Sequence, residues 1–267
     1  MIISTFYDHI LQAKEQSKKE LPELLNYVKA CGISAVEINL KYLQEHEETL
    51  FLLRDVGLKI SCIYETHDLL NKNDIESVKK HIDFAEQTGA RRILIIPGYF
   101  EQDQAHQFDN ALNYENVAKL MEKNQAVQRA KNSLVQICKY AQKTNVLVTF
   151  EDYDYWTSPC SHMLQLLWWF KNVPGLYHTF DMGNYAYSQE DVEEAFELLK
   201  DYIVHVHCKD RGPELACVPT GGGLLPIVDL VQKLKKQGYQ DYFAIEHFHA
   251  PNQIEYLKKS ADFLKGL

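Results

Sequence analysis

VLVTFE, residues 146–151, is a short apolar run that ends on a carboxylate, and three further runs are built the same way. YHTFD (177–181) closes on Asp181, IVHVH (203–207) on His207 and FAIE (243–246) on Glu246. Each has the length and the β-branched or aromatic content of a strand, with a helix-like segment or a glycine upstream. Each metal-competent side chain therefore sits at a strand's C-terminal end. Parallel strands closed into a barrel bring such ends, far apart in sequence, into one ring on the carboxyl face, where barrel enzymes keep their chemistry. Three carboxylates and one imidazole suit a divalent cation.

Outward from these runs the chain alternates regularly. Strand-like segments are expected at 2–7, 34–40, 58–64 and 91–97, followed by VLVTFE, GLYHTFD, IVHVHCK and YFAIE. Between them lie segments with apolar residues at helical spacing, among them KKELPELLNYVKACG, DIESVKKHIDFAEQTG, MLQLLWWFKN and LPIVDLVQKLKKQG. One long helix is expected over 117–143, and IEYLKKSADFLKG closes the chain as an amphipathic helix. Eight strands alternating with eight helices predict an α/β fold, a closed (β/α)8 barrel forming one domain over residues 1–267. The polar stretch 98–116 is too long for an ordinary strand-to-helix turn and is expected to act as a mobile cover.

Composition narrows the function classes. A net charge of −9 gives no broad attraction to phosphate backbones, so nucleic acid is disfavoured as a partner and a small neutral ligand fits more easily. Cys31, Cys62, Cys138, Cys160, Cys208 and Cys217 are scattered with no CxxC pair, in a chain long enough to bury a core without disulfides. They read as reduced thiols in a cytoplasmic protein. The first residues lack a basic leader, and no stretch approaches the ~20 apolar residues of a membrane span. Nothing in the composition opposes a homo-oligomer.

Any one carboxylate after a strand is more often a helix cap or a solvated loop residue. Four in register are harder to dismiss. Glu151 is followed by Asp152 and Asp154, an acidic cluster that calls for a cation or an arginine. His205 and His207 share one strand face, and His207 lies nearer the rim, which leaves His205 as core or support. No GxGxxG follows a strand, so no nicotinamide site is expected.

The motifs GISAVEINL, GARRILIIPG, VLVTFEDY, TFDMGN, HVHCKD, PTGGG and AIEHF together resemble the xylose-isomerase-like TIM barrel superfamily over nearly the whole chain. That superfamily includes sugar phosphate isomerases and epimerases, ketose 3-epimerases, inosose dehydratases and an endonuclease IV branch. The resemblance implies one divalent metal ion (Mn2+, Mg2+, Co2+ or Zn2+) on Glu151, Asp181, His207 and Glu246. It also implies a small sugar or sugar phosphate as substrate, with Glu151 and Glu246 as the bases that isomerise or epimerise it through a metal-held enediolate. Lys209 is then a candidate for an oxyanion and Arg211 for a phosphate or carboxylate. Glu37 and His67, at the ends of the second and third strands, are candidates for substrate hydroxyls, and Tyr64, Tyr153, Tyr155 and Trp156 for apolar walls. Two features depart from the ketose 3-epimerases, which carry a histidine where Asn184 stands and an arginine where Pro213 stands. The missing histidine also disfavours the endonuclease branch. Metal-assisted dehydration of the inosose dehydratase type and a non-catalytic sugar-binding barrel are the alternative readings. No second set of carboxylates and histidines marks a second metal position, so proton transfer is expected in place of hydride shift.

Overall fold

The structure, a computed structural model, describes residues 1–108, 111 and 113–267. The strands are β1 (Ile2–Phe6), β2 (Ala35–Asn39), β3 (Lys59–Thr66), β4 (Arg92–Ile96), β5 (Leu147–Glu151), β6 (Leu176–Asp181), β7 (Ile203–Arg211), β8 (Cys217–Val218) and β9 (Tyr242–Glu246). β1 to β7 and β9 run parallel in chain order round a ring, which closes where β1 pairs with β9 from Ile2↔Tyr242 to Thr5↔Ile245. β8 is only a short antiparallel ribbon on the far end of β7. The expected (β/α)8 barrel is therefore the observed fold.

Parallel strands covered on both faces read as near-continuous apolar runs, and RILII of β4 and the first residues of β2 are buried accordingly. Each fully buried Val, Leu or Ile contributes about 2 kcal/mol. The outer layer adds large aromatics: Trp168 and Trp169, on the helix Met163–Asn172, are both fully buried and meet edge to face at 5.1 Å.

Three helical features differ from the sequence expectation. A helix, Tyr7–Ser17, begins directly on the last residue of β1, burying Tyr7, Ile10 and Ala13 at helical spacing. A short one, Leu40–Glu45, begins directly on β2, capped by the Asn39 side chain accepting from the Tyr42 N–H at 3.0 Å. In both places the period changes from two to 3.6 with no glycine or proline to mark it. The single helix expected over 117–143 is two, Tyr114–Lys123 and Gln125–Ala141. Between them Asn124 is extended, and its side chain accepts from the N–H groups of Ala126 and Val127.

Of the expected cover, Asp109, Asn110 and Leu112 lie outside the described residues. The remainder includes a short helix, Gln102–Ala105, and is mostly exposed, but Phe100 and Phe108 turn inward: their rings stack at 5.4 Å, and the Phe100 N–H donates to the Thr157 carbonyl at 2.8 Å. Among the described residues no helix is long and apolar enough to cross a membrane.

Candidate metal centre and substrate cavity

Strand register assembles the four predicted side chains. Pairing sets Asp181 on β6 opposite His207 on β7, and Lys209 on β7 opposite Glu246 on β9, while β5 delivers Glu151 beside β6. His207 Nδ1 faces Glu151 Oε1 at 2.8 Å, Glu246 Oε2 at 3.1 Å and Asp181 Oδ2 at 3.7 Å. One donor atom from each residue lies within 4.8 Å of all the others, and all four side chains are buried. Hard oxygen and imidazole donors converging on one point, with Asp181 Oδ2 and Glu246 Oε2 accepting no hydrogen bond, are competent to hold a divalent cation.

Asp181 divides its work between its oxygens. Oδ1 accepts from the N–H groups of Gly183 at 2.6 Å and Asn184 at 3.0 Å, which stabilises the turn after β6, and Oδ2 is left for the cluster. It does not cap the next helix; Asp191 does, accepting from Glu193 and Glu194. Asp152, alternating with Glu151 along the chain, points the other way and accepts from the Asp181 N–H at 3.0 Å. Gly183 is required by close approach, because a Cβ there would lie 2.7 Å from Lys209 Cγ.

Charge on the cluster is set by burial and by close partners. Burial pushes Glu151 up to about 8 despite the attraction of His207. Glu246 is also raised by burial, against the pull of Lys209. Asp181 goes the other way: its burial is outweighed by Lys209 and His207, which hold it below the usual carboxylate range. Lys209 Nζ lies 2.5 Å from Glu246, 3.1 Å from Asp181 and 2.7 Å from Asn184 Oδ1. Burial disfavours its charge, but those carboxylates raise it well above the usual lysine value.

Above the cluster opens a cavity of about 370 Å³, lined in part by Glu151, Asp154, Lys209, Arg211 and Glu246, with walls that include Phe6, Tyr64, Tyr153, Tyr187 and Phe248. Arg211 lies over the Tyr187 ring at 4.7 Å and 3.6 Å from Asp154. Tyr64 and Tyr153 are walls as expected; Tyr155 and Trp156 are exposed and do not line the cavity.

Two candidate substrate contacts are placed elsewhere. Glu37 is fully buried and off the cavity wall, and its Oε2 faces His205 Nε2 at 2.8 Å and His207 Nε2 at 3.1 Å. Glu37, His205 and His207 form a second metal-competent group, which was not expected from the sequence; it shares His207 with the first, and Glu37 Oε2 faces both imidazoles while Oε1 has no partner. Burial would raise Glu37, yet the two rings hold it well below the usual carboxylate range. His67 is also off the wall: it turns into the protein and pairs with Asp74 at 3.2 Å and His81 at 3.1 Å. Glu37 is redirected by partners on the far side of the barrel, and His67 by the loop and helix that follow its own strand.

Asn184 and His247 line the cavity without having been assigned a role from the sequence. Asn184 spans the site, donating to the Asp152 carbonyl at 2.8 Å and to Glu151 at 3.4 Å while accepting from Lys209. The only signal for it was its place three residues after Asp181.

A sequence profile described as a xylose isomerase-like TIM barrel matches residues 25–267. An L-ribulose-5-phosphate 3-epimerase from Escherichia coli is 26% identical over 203 residues, covering 74% of this chain and 65% of the epimerase, so the chain spans just under two thirds of that relative's length. Among solved structures, a probable 3-DHS dehydratase from Bacillus anthracis superposes with a TM-score of 0.74 at 18% identity, over 99% of each chain. The apo form of a 3-keto-D-glucoside 4-epimerase from E. coli superposes with a TM-score of 0.69 at 17% identity, over 92% of this chain and 94% of that one. At such identities the superpositions establish the fold alone.

Proposed function

The chain belongs to the xylose isomerase-like TIM barrel family, and from that premise we propose that it is a divalent-metal-dependent isomerase or epimerase of a sugar or sugar phosphate, working by proton transfer. The observation that carries this reading is the pair of buried glutamates, Glu151 on β5 and Glu246 on β9. They flank one cation-competent cluster and line one cavity. A divalent ion on Glu151, Asp181, His207 and Glu246 would supply Lewis acidity toward a substrate carbonyl, which acidifies the neighbouring C–H.

Glu151 and Glu246 approach from strands separated round the ring by β6 and β7, so one carboxylate can remove the proton while the other returns one to the opposite face. Return to the opposite face inverts a carbon. Return of the proton to the adjacent carbon moves the carbonyl. Lys209, fixed by Glu246, Asp181 and Asn184, directs positive charge at the oxygen that becomes negative in the enediolate. Elimination is the second reading: the Lys209 ammonium, 2.5 Å from Glu246, is placed to protonate a departing hydroxide.

The test is turnover in heavy water across ketoses, sugar phosphates and inososes, with product analysis. Deuterium is expected at the carbon next to the original carbonyl, and Glu151→Gln and Glu246→Gln are expected each to slow exchange by about 100-fold or more. Product formed at the parent rate by both variants would refute the assignment.

A further inference from the structure

Resting on the sugar reading of this same site, we propose that the substrate carries no phosphate and that the cavity takes an uncharged polyhydroxylated carbonyl compound. Barrel enzymes frequently bind phosphate on the loops after their seventh and eighth strands, where backbone N–H groups form an anion cradle. The corresponding loop here is PTGGG, residues 219–223, which follows β7. Its donors are already used within the chain: Thr220 donates to Ser260, Gly222 to Pro219, and the remaining two to a carboxylate. Asp210, 1% exposed, accepts from the N–H groups of Gly221 at 3.0 Å, Gly223 at 2.9 Å, Leu225 at 3.3 Å and Arg211 at 2.8 Å. The fit is close enough that a methyl group on Gly223 would collide with Asp210 Oδ1. The cradle is therefore filled from within.

The two fixed cations of the wall already face the chain's own carboxylates, although Arg211 Nε has no hydrogen-bond partner. Lys209 is held by Asp181, Glu246 and Asn184. Arg211 faces Asp154 at 3.6 Å, donates to the Leu215 carbonyl at 3.4 Å and stacks on Tyr187. With a divalent ion bound, Glu151, Asp154, Asp181 and Glu246 would be matched by that ion, Lys209 and Arg211, and Glu37 behind His207 adds a further negative charge, so no net positive charge would remain for a substrate. A phosphate dianion would add negative charge to a wall whose two fixed cations already face the chain's own carboxylates, which is costly away from bulk water. An uncharged sugar brings none, and the rings of Phe6, Tyr64, Tyr187 and Phe248 offer apolar walls for its C–H faces.

The test pairs pentuloses and hexuloses with their terminal phosphate esters, each titrated by calorimetry into the manganese-loaded full chain, with inorganic phosphate as a separate probe. A ketose is expected to bind at least about ten-fold more tightly than its own ester, and inorganic phosphate is expected not to compete with it. An ester that binds about ten-fold more tightly than its parent sugar would overturn the proposal. Asp154→Asn, a change at the partly exposed rim, releases Arg211 and is expected to narrow the gap by strengthening ester binding. An unchanged ratio in that variant would overturn the charge argument. Binding heat is read separately from solvent exchange, so a ketose that binds without taking up deuterium refutes the proton-transfer reading and leaves the charge inference standing.

Discussion

His207 presents a different partner to each ring nitrogen. Nδ1 faces the metal-competent carboxylates, and Nε2 faces Glu37 at 3.1 Å. A carboxylate on the far nitrogen of a ligating histidine fixes the ring's orientation and its tautomer. Glu37 is itself steadied by His205 at 2.8 Å, so if the proposed site holds a metal on His207, Glu37 is placed to support that ligand and not to contact substrate. Glu37→Gln keeps the shape and removes the charge. It is expected to weaken manganese binding about 10- to 100-fold by calorimetric titration, with the circular dichroism spectrum unchanged. Parent affinity in that variant would remove Glu37 from the metal site's support.

Asn124 shows how one element boundary shapes the wall of the barrel. Its side chain accepts from Ala126 at 2.9 Å and Val127 at 3.2 Å, ending one helix and starting the next. The break lets Tyr114–Lys123 pack against Met163–Asn172 while Gln125–Ala141 packs against Ile75–Thr88. Asn124→Ala is expected to cost about 1 kcal/mol in urea unfolding. No loss of stability would mean that the break is imposed by packing alone.

At the scale of the molecule, the end of the barrel opposite the cavity is held by Arg92. Only 5% exposed at the start of β4, it donates from Nε to the Val204 carbonyl on β7 at 2.8 Å and forms an ion pair with Asp241 just before β9. One side chain thus ties β4, β7 and β9 across the barrel floor. Arg92→Met keeps much of the apolar stem and leaves both acceptors without their charged donor. We expect a loss of about 1.5–3 kcal/mol in unfolding free energy, with metal binding unchanged because the cluster lies at the other end. Wild-type stability in Arg92→Met would show that the strands close the barrel without the strap.

What the sequence determined by itself is the alternation of strands and helices and the register of four chemical groups at strand ends. Both are local properties: apolar periodicity selects the element, and Glu151, Asp181 and Glu246 each end their strand at the rim, whereas β7 runs on past His207 to Arg211. The (β/α)8 barrel and the convergence of Glu151, Asp181, His207 and Glu246 were legible for that reason. Tertiary structure decided which neighbours each remaining side chain meets. Glu37 and His205 are 168 residues apart in sequence and 2.8 Å apart in space. Asp74 and His81 draw His67 off the wall, and backbone donors up to 15 residues downstream converge on Asp210. A buried polar group takes the partner that satisfies it at least cost: for Glu37 barrel closure sets that partner, and for His67 and Asp210 the fold of the segment just downstream does.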